Sequence, residues 1–408
     1  MLMLLLHAPS SGRREGDPGA WRRRRLLAVA GMVLVVVAAA VVTAARSPVD
    51  PHVPVAAGPD EQRDPGVPAA PDPDPRRDPA PPGRTASTVV GYLPYWEQRA
   101  AVTDALRDPG LLTTAAPWWY APTRAGGVVL QHRGHTDTGA EVVRELRDGG
   151  LTVMPTIANH RNGEWNFEVV PELIADPAAR RAHVRNLADL ARRRDFDGIV
   201  IDYELLGAGD RDNFTAFLTE LGAALHADGR RLAVALHAQA SDEGSGEHNQ
   251  AQDYRAIGRV VDEVHLMTYD HHWDESDPGA IAPLPWVVDV LDYATARIPA
   301  DKLVLGIGLF GYDWGGGEVA DDLQLAQVAR RIEANDGEQG WDPRAMSPWF
   351  RYRRDGRSRV IWYEDVASVE AKLALVARYD LAGAFFWRLG GVPDDIWRTA
   401  RQTLRPDA

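Results

Sequence analysis

Two carboxylic acids lie two residues apart at the end of an apolar segment, DGIVIDYE, which runs from Asp197 to Glu204. Because successive side chains of a strand point to opposite faces, Asp202 and Glu204 would share one face, with Val200 one step before them. Neighbouring carboxylates repel each other, which raises the pKa of one and leaves it a proton to transfer near neutral pH. The pattern favours a general acid, although two structural acids at a strand end are the alternative.

Short apolar segments rich in β-branched residues alternate with helix-like segments from residue 87 onward. We predict eight strands, which begin at Thr88, Leu111, Leu151, Phe196, Arg231, Val261, Lys302 and Leu381. Eight β-α units predict an α/β fold, a (β/α)8 TIM barrel, with a doubly wound open sheet as the alternative. The interval of about 314–363 is too long for one helix, so we expect a small α+β insertion before the last strand. In such a barrel the active site forms at the carboxyl ends of the strands.

The chain from about residue 87 to its end resembles glycoside hydrolase family 18, the chitinase-like barrels. The fourth-strand motif of that family, DGxDxDxE, is matched by Asp197, Gly198, Asp202 and Glu204. Val200 stands where chitinases have an aspartate. The sixth-strand motif and the tryptophan that closes the eighth strand are matched by Met267, Tyr269, Asp270 and Trp387. The segments IAPLPWV, KLVLGIGLFGYDW, VIWYEDVASVEAKLAL and FFWRLGG are similar to the spore-germination, cortex-lytic branch, which acts on peptidoglycan as an N-acetylglucosaminidase.

The resemblance implies substrate-assisted, retaining hydrolysis of β-1,4 bonds at N-acetylglucosamine. Glu204 would protonate the glycosidic oxygen, and the carbonyl oxygen of the substrate's own 2-acetamido group would be the nucleophile. Asp202 would hold the acetamide N–H and raise the pKa of Glu204, while the Tyr269 hydroxyl would donate to the acetamide oxygen. Trp387 would form the floor of the cleavage subsite.

Further residues at predicted strand ends are candidates for binding the glycan, because all of them would face one cleft. They are Tyr92, Trp96, Asn159, His237, Met267, Asp270 and Trp273. More tryptophans at strand ends, which could stack on sugar rings or belong to the core, are Trp118, Trp119 and Trp314. For Asn159 and His237 a structural polar contact is the alternative.

Two functions from different classes fit these residues. The first is a glycosidase, with peptidoglycan favoured over chitin because a long linker would place the barrel in the cell wall. The second is a catalytically inactive, chitinase-like glycan-binding module, an alternative that Val200 keeps open. Retention of both Asp202 and Glu204 favours the enzyme, since a binding module has no need of the acid.

Three other kinds of site are disfavoured. A GxGxxG pattern begins at Gly306, but further glycines from Gly315 follow too closely for a phosphate-binding helix. The spacing of His265, His271 and His272 matches no known metal motif. A net charge of -13 argues against a nucleic-acid partner, and the absence of cysteine excludes a thiol nucleophile. We therefore expect no metal, cofactor, nucleotide or nucleic acid.

The amino terminus carries a membrane signal. Four consecutive arginines from Arg22 precede the charge-free segment LLAVAGMVLVVVAAAVV. We predict a cytoplasmic basic segment over 1–25 and, over 26–45, either an uncleaved single-pass anchor or a cleaved signal sequence. Residues 46–86 are rich in proline and aspartate and predict a disordered, extended linker. Residues 87–408 would form the barrel, held outside the cytoplasm at the cell membrane or secreted.

An uncleaved anchor predicts that the full-length protein stays with the membrane fraction after a high-salt wash, because the apolar segment is held by the bilayer rather than by charge. Cell fractionation followed by amino-terminal sequencing measures this. Release by salt, or a new amino terminus after Ala45 in the medium, would exclude the uncleaved anchor.

Overall fold

The structure, a computed structural model, describes residues 86–131, 139–242, 250–315 and 319–406. Parallel strands close into an eight-stranded barrel, in which the first strand pairs with both the second and the eighth. The eight are Thr88–Pro94, Thr114–Pro122, the interrupted pair Thr152–Val153 and Thr156–Ala158, then Gly198–Asp202, Arg231–His237, Glu263–Met267, Leu303–Gly308 and Gly383–Trp387. This closed parallel barrel confirms the TIM-barrel prediction and excludes the open sheet.

Helices cover the outside of the barrel. They are Gln98–Arg107, Gly139–Asp148, Val169–Ala175, Pro177–Arg194, Arg211–His226, Tyr254–Ile257, Leu284–Thr295, Val366–Arg378 and Asp394–Leu404. Local sequence explains where they begin: the Asp365 carboxylate accepts a hydrogen bond from the Ser368 N–H at 2.9 Å, and the Ser368 hydroxyl is bonded to the Asp365 N–H in return. Short 3-10 helices are Tyr95–Glu97, Ala208–Asp210 and Ala300–Lys302.

An α+β insertion lies between the seventh and eighth barrel strands. Its antiparallel sheet has the order Asp321–Gln324, Phe310–Trp314, Arg357–Tyr363, Ser347–Arg354, Gly337–Asp342. Helix Leu325–Glu333 covers this sheet, and a separate apolar cluster joins them: Leu323, Val328, Phe350, Tyr352 and Ile361. The insertion therefore has a small core of its own.

The insertion begins at Phe310, earlier than the predicted start at Trp314. The apolar segment after Lys302 is two strands, because the chain leaves the barrel after Gly308 and enters the second sheet at Phe310. Both strands are buried throughout, so no exposed polar residue marks the boundary between them in the sequence. At the junction the Leu309 N–H donates to the Trp387 carbonyl oxygen at 2.6 Å, which ties the insertion to the last barrel strand.

The predicted basic segment, the membrane segment and nearly all of the linker lie outside the described residues. Within the residues that the structure does describe, no helix combines the length and the apolar character needed to cross a bilayer.

Closure of the barrel depends on a very close approach of the first and eighth strands. A Cβ placed on Gly383 would lie 1.6 Å from the carbonyl oxygen of Thr88, its neighbour in the strand register. We expect Gly383→Ala to lower the free energy of unfolding by about 3 kcal/mol or more, because the backbone must move apart. The control is Gly209→Ala, since Gly209 is exposed and has no atom within 4 Å of such a Cβ.

Urea unfolding of both variants measures the difference. Equal unfolding midpoints for Gly383→Ala and Gly209→Ala would contradict this account of barrel closure.

Candidate active site

The acidic pair lies at the carboxyl end of the fourth barrel strand. Asp202 is the last residue of the strand and is 5% exposed, whereas the Glu204 side chain, just beyond the strand, is 18% exposed. Tyr203 between them points the other way, and its hydroxyl contacts His183 Nε2 of a surrounding helix at 2.7 Å. The two carboxyl groups therefore share the inner face.

Asp202 is a buried carboxylate for which few hydrogen bonds replace the lost hydration. Its Oδ2 accepts a hydrogen bond from the indole N–H of Trp118 on the second strand at 2.8 Å. Burial raises the pKa of Asp202 to about 6, and side-chain hydrogen bonds with Trp118 and with Glu204 act in the opposite direction. Its Oδ1 is also buried and has no hydrogen-bond partner in the described part of the chain. One oxygen of Asp202 is thus left as an acceptor.

Asn159, at the end of the third strand, holds the backbone of Glu204. Its Oδ1 accepts from the Glu204 N–H, its Nδ2 donates to the Glu204 carbonyl oxygen, and both distances are 2.9 Å. Asn159 is 1% exposed, so its amide is used to position the acid. Asn159 thus makes the structural polar contact that the sequence left open as the alternative to a substrate contact.

His237, at the end of the fifth strand, faces the Glu204 carboxyl group. Its Nε2 lies 3.6 Å from Glu204 Oε2, and its side chain is 21% exposed. Its backbone N–H donates to Gln252 Oε1 at 2.8 Å, which fixes the strand end. His237 therefore reaches the cleft beside the acid, where the sequence places it.

Tyr269 of the sixth-strand motif lies near the acidic pair, and Asp270 follows it in the chain. Tyr269 is 9% exposed; burial raises its pKa well above the usual value, and the charges of Asp202 and Glu204 contribute in the same direction. Its hydroxyl is therefore protonated and able to donate. Asp270 accepts from the Tyr312 hydroxyl of the insertion at 2.9 Å. Loss of hydration raises the pKa of Asp270, although part of the residue remains exposed.

Trp387 ends the eighth strand and lies across the barrel from the acidic pair. Its ring packs edge-on against Tyr92 and Trp118, each with a centroid separation of 5.7 Å. Tyr92, which the sequence places at the cleft, is only 2% exposed and lies in the barrel core next to Trp387. Met267 is partly buried against the same core.

The large exposed apolar side chains of the described residues are three aromatics, Trp96, Phe167 and Trp273, with exposures of 44%, 38% and 47%. All follow barrel strands, after the first, third and sixth. Trp119 and Trp314, in contrast, are core residues that are 3% and 5% exposed. The exposed rings form an aromatic rim around the strand ends.

Sequence reasoning missed Phe167. It follows a small hairpin, His160–Arg161 with Glu164–Trp165, whose turn residues Asn162 and Gly163 both have positive φ. An Asn-Gly pair between short segments is a strong hairpin signal, and it could have been used to find this part of the rim.

A cation site does not form around the histidines and Asp270 that follow the sixth strand. Among the described residues, no group of three or more potential ligands lies close enough together to hold a metal ion.

The family described as Glycosyl hydrolases family 18 matches residues 88–391, which include all eight barrel strands and the insertion. The chain belongs to glycoside hydrolase family 18. This membership places it among the glycosidases and confirms the predicted family.

Similarity within the family extends to cortex-lytic enzymes and to chitinases. The chain is 34% identical to the cortical fragment-lytic enzyme of Bacillus subtilis (strain 168) over 245 residues, which are 59% of this chain but only 57% of that protein. The chitinase from Chromobacterium violaceum ATCC 12472 superposes with a TM-score of 0.73 at 30% identity, covering 78% of this chain and 99% of that one. The Bacillus cereus spore cortex-lytic enzyme SleL gives 0.71 at 25% identity, over 79% and 76%.

The raised pKa of Asp202 predicts that the free energy of unfolding depends on pH. The folded state binds this proton more tightly than the unfolded chain does, so the stabilisation is present below about pH 4 and is lost as pH rises through about 6. Asp202→Asn keeps the acceptor for Trp118 but carries no charge. We therefore expect it to be more stable than wild type at pH 8, by on the order of 2 kcal/mol, with the gap closing towards pH 4.

Urea unfolding across this pH range measures the effect. Asp355→Asn, at an exposed turn residue with positive φ, is the matched control and should leave stability nearly unchanged at each pH. An Asp202→Asn protein that loses stability at pH 8 relative to wild type would show that the buried charge is better compensated than the structure indicates.

Proposed function

We propose that this protein is a retaining glycosidase that cleaves β-1,4 bonds at N-acetylglucosamine in cell-wall peptidoglycan. The observation that carries the proposal is the pairing of a buried carboxylate, whose Oδ1 has no hydrogen-bond partner within the described part of the chain, with a second carboxyl group that reaches the cleft. Asp202 can accept a hydrogen bond but is too enclosed to meet the leaving group. Glu204 can meet it.

The division of roles follows from these exposures. The Glu204 carboxyl proton passes to the glycosidic oxygen as its bond to C1 breaks. The carbonyl oxygen of the substrate's 2-acetamido group forms the new bond to C1, while Asp202 Oδ1 accepts the acetamide N–H and the Tyr269 hydroxyl donates to the acetamide oxygen. Water then attacks C1 from the side of the departed group, the bond between C1 and the acetamide oxygen breaks so that the acetamido group is restored, and the water gives a proton to Glu204. The product keeps the β configuration.

We assign binding of the glycan to Trp387, as the floor of the cleft, and to the exposed aromatic rim. Trp387 lies beside Trp118, which holds Asp202, so its indole can carry the sugar whose bond is cut. Trp96, Trp273 and Phe167 are exposed around the strand ends and can stack on flanking sugars. Asp270, His237 and Met267 supply the polar and apolar edges of the same cleft.

Peptidoglycan is favoured over chitin by two observations. The relatives include cortical fragment-lytic and spore cortex-lytic enzymes, whose names refer to the spore wall. The amino-terminal apolar segment and the proline-rich linker also favour a barrel tethered outside the cytoplasmic membrane, within reach of the wall. The glycan-binding alternative rests on Val200, which is fully buried. It stands two residues before Asp202, so Asp202 has no carboxyl neighbour on that side of the strand.

Glu204→Gln keeps the size of the side chain and its backbone contacts to Asn159 but removes the transferable proton. We expect turnover of peptidoglycan to fall about 100-fold or more, with glycan binding retained. Full-length protein is incubated with purified peptidoglycan and, separately, with chito-oligosaccharides, and reducing ends and fragment masses are measured. Glu333→Gln, on an exposed helix of the insertion, is the control and should match wild type.

Near-normal turnover by Glu204→Gln would refute the assigned acid. Binding of either polymer by wild type without release of reducing ends would favour the glycan-binding module, and faster cleavage of chito-oligosaccharides than of peptidoglycan would reverse the choice of substrate.

A further inference from the structure

One hairpin of the insertion, formed by Ser347–Arg354 and Arg357–Tyr363, is basic in a chain whose net charge is -13. Residues 347–363 hold five arginines and one acid, Asp355. Positive charge gathered at one place on an acidic protein favours an anionic partner at that place.

The register of the hairpin decides which arginines share a face of the sheet. Side chains alternate along a strand, and directly paired residues lie on the same face. Tyr352 belongs to the insertion core beneath helix Leu325–Glu333 and pairs with Arg359. Arg354, two residues after Tyr352, pairs with Arg357. These three arginines therefore lie on the face that the helix covers, and the other two arginines of the hairpin lie on the opposite face.

The helix adds two more arginines to this face. A cavity of about 460 Å³ is lined by residues of the helix and of the hairpin, and its charged lining residues are Arg330, Arg331 and Arg354. Gln327 and Asn335 line it as well, and no acid does so among the described residues. We call the following five residues the arginine face: Arg330, Arg331, Arg354, Arg357 and Arg359.

Ion pairs hold two of these arginines in place. Asp313 is 0% exposed and accepts hydrogen bonds from Arg331 and from Arg359, the second at 2.9 Å. Arg359 also donates to the Asp321 carboxylate at 3.0 Å. These two guanidinium groups are therefore fixed and largely neutralised.

Arg330 and Arg354 are not neutralised in this way. The Arg330 side chain is exposed and makes no hydrogen bond or ion pair within the part of the chain that the structure describes. Arg354 Nε lies 3.7 Å from the carboxylate of Asp355, whose side chain is 91% exposed, and exposed pairs of this kind contribute little. Both guanidinium groups can therefore bind an external anion.

The turn of the hairpin brings two like charges together. Asp355 and Gly356 both have positive φ, as in the two-residue turns that connect strands tightly. Arg354 and Arg357 are consequently paired directly, with Cβ atoms about 5 Å apart, and like charges at such positions destabilise a hairpin. An anion bound between the two guanidinium groups would remove this repulsion.

The arginine face lies on the side of the insertion sheet away from the active-site cleft. Asp313 pairs with Ile361 of the insertion core, so it lies on the helix-covered side. Tyr312, the preceding residue of the same strand, lies on the other side, where its hydroxyl binds Asp270. A polymer on the arginine face would therefore not compete with a glycan in the cleft.

We propose that the arginine face binds a phosphodiester polymer of the cell wall and so holds the protein beside its substrate. The choice of a wall polymer rests on the proposed function. One guanidinium fork occupies both oxygens of a planar carboxylate, whereas a tetrahedral phosphate can be met by several forks from different directions. A membrane surface fits less well, because the large exposed apolar side chains of the described residues follow barrel strands and none lies on this face.

The test uses fluorescently labelled poly(glycerol phosphate), and its binding to full-length protein in an uncharged detergent is measured by fluorescence anisotropy at several salt concentrations. Binding releases counter-ions from the phosphates that the arginines neutralise, so affinity should fall as salt rises. About three neutralised phosphates predict a slope of about -2 when the logarithm of the association constant is plotted against that of the salt concentration.

Arg354→Gln combined with Arg357→Gln removes two of these contacts. We expect Kd to rise about 10-fold or more at low salt and the slope to become about -0.7. The matched control combines Arg351→Gln with Arg353→Gln, which removes the same charge from the same hairpin but on the opposite face of the sheet. The control should bind the polymer as wild type does.

Folding of the variants is measured by urea unfolding. Because replacing Arg354 and Arg357 removes a like-charge pair, the unfolding midpoint should equal or exceed that of wild type. Arg330→Gln, at an exposed side chain without a partner among the described residues, provides a second variant and should make the slope less negative by about 0.7.

The anisotropy measurement needs no turnover, so its result is independent of whether the protein cleaves a glycan. The proposal is overturned if wild type shows no salt-sensitive binding, if the two double variants weaken binding equally, or if poly-glutamate of equal charge displaces the label as well as unlabelled poly(glycerol phosphate) does. Stronger displacement by phosphatidylglycerol micelles than by unlabelled polymer, at equal phosphate concentration, would show a membrane partner and also overturn it.

Discussion

Burial of the Asp202 carboxylate at the mouth of a closed barrel is the constraint on which the site depends. An enclosed carboxylate is costly unless hydrogen bonds replace its hydration. Here the indole of Trp118 satisfies one oxygen, and the other has no hydrogen-bond partner among the residues that the structure describes. The fold accepts this cost, and the consequence is an acid whose pKa is raised to about 6, poised near neutral pH beside Glu204. A site built for stability alone would not leave that oxygen open.

Support for this arrangement comes from the third barrel strand and from the insertion. Asn159 of the third strand holds the backbone of Glu204, so the acid is fixed although it lies beyond the regular strand. The insertion closes one side of the mouth, where the Tyr312 hydroxyl binds Asp270 and the Arg388 guanidinium binds Asp322 at 3.1 Å. The barrel positions the reacting groups, and the insertion adds a wall to the cleft.

The strand count and the barrel could be predicted from the sequence, because short apolar segments alternate with helix-like segments. The acidic pair could be placed on one face because the side chains of DGIVIDYE alternate between the two faces of its strand. Partners across the barrel could not be predicted in the same way. Trp118 and Asp202 are 84 residues apart in the chain, and alternation specifies a face but not the neighbour on that face. The start of the insertion was placed too late because two buried strands follow each other without a polar break. For Asn159 the sequence left a sugar contact and a structural contact open, and the structure shows the contact to the Glu204 backbone.

The central claim is that the substrate's own acetamido group is the nucleophile, held by the free oxygen of Asp202. The most direct measurement compares the cleavage rates of two oligosaccharides of equal length and linkage, one fully N-acetylated and one de-N-acetylated at the sugar that occupies the cleavage subsite. The account predicts cleavage of the first, with the β anomer formed initially in proton NMR, and no detectable cleavage of the second. Equal rates for the two substrates, or initial formation of the α anomer, would contradict it.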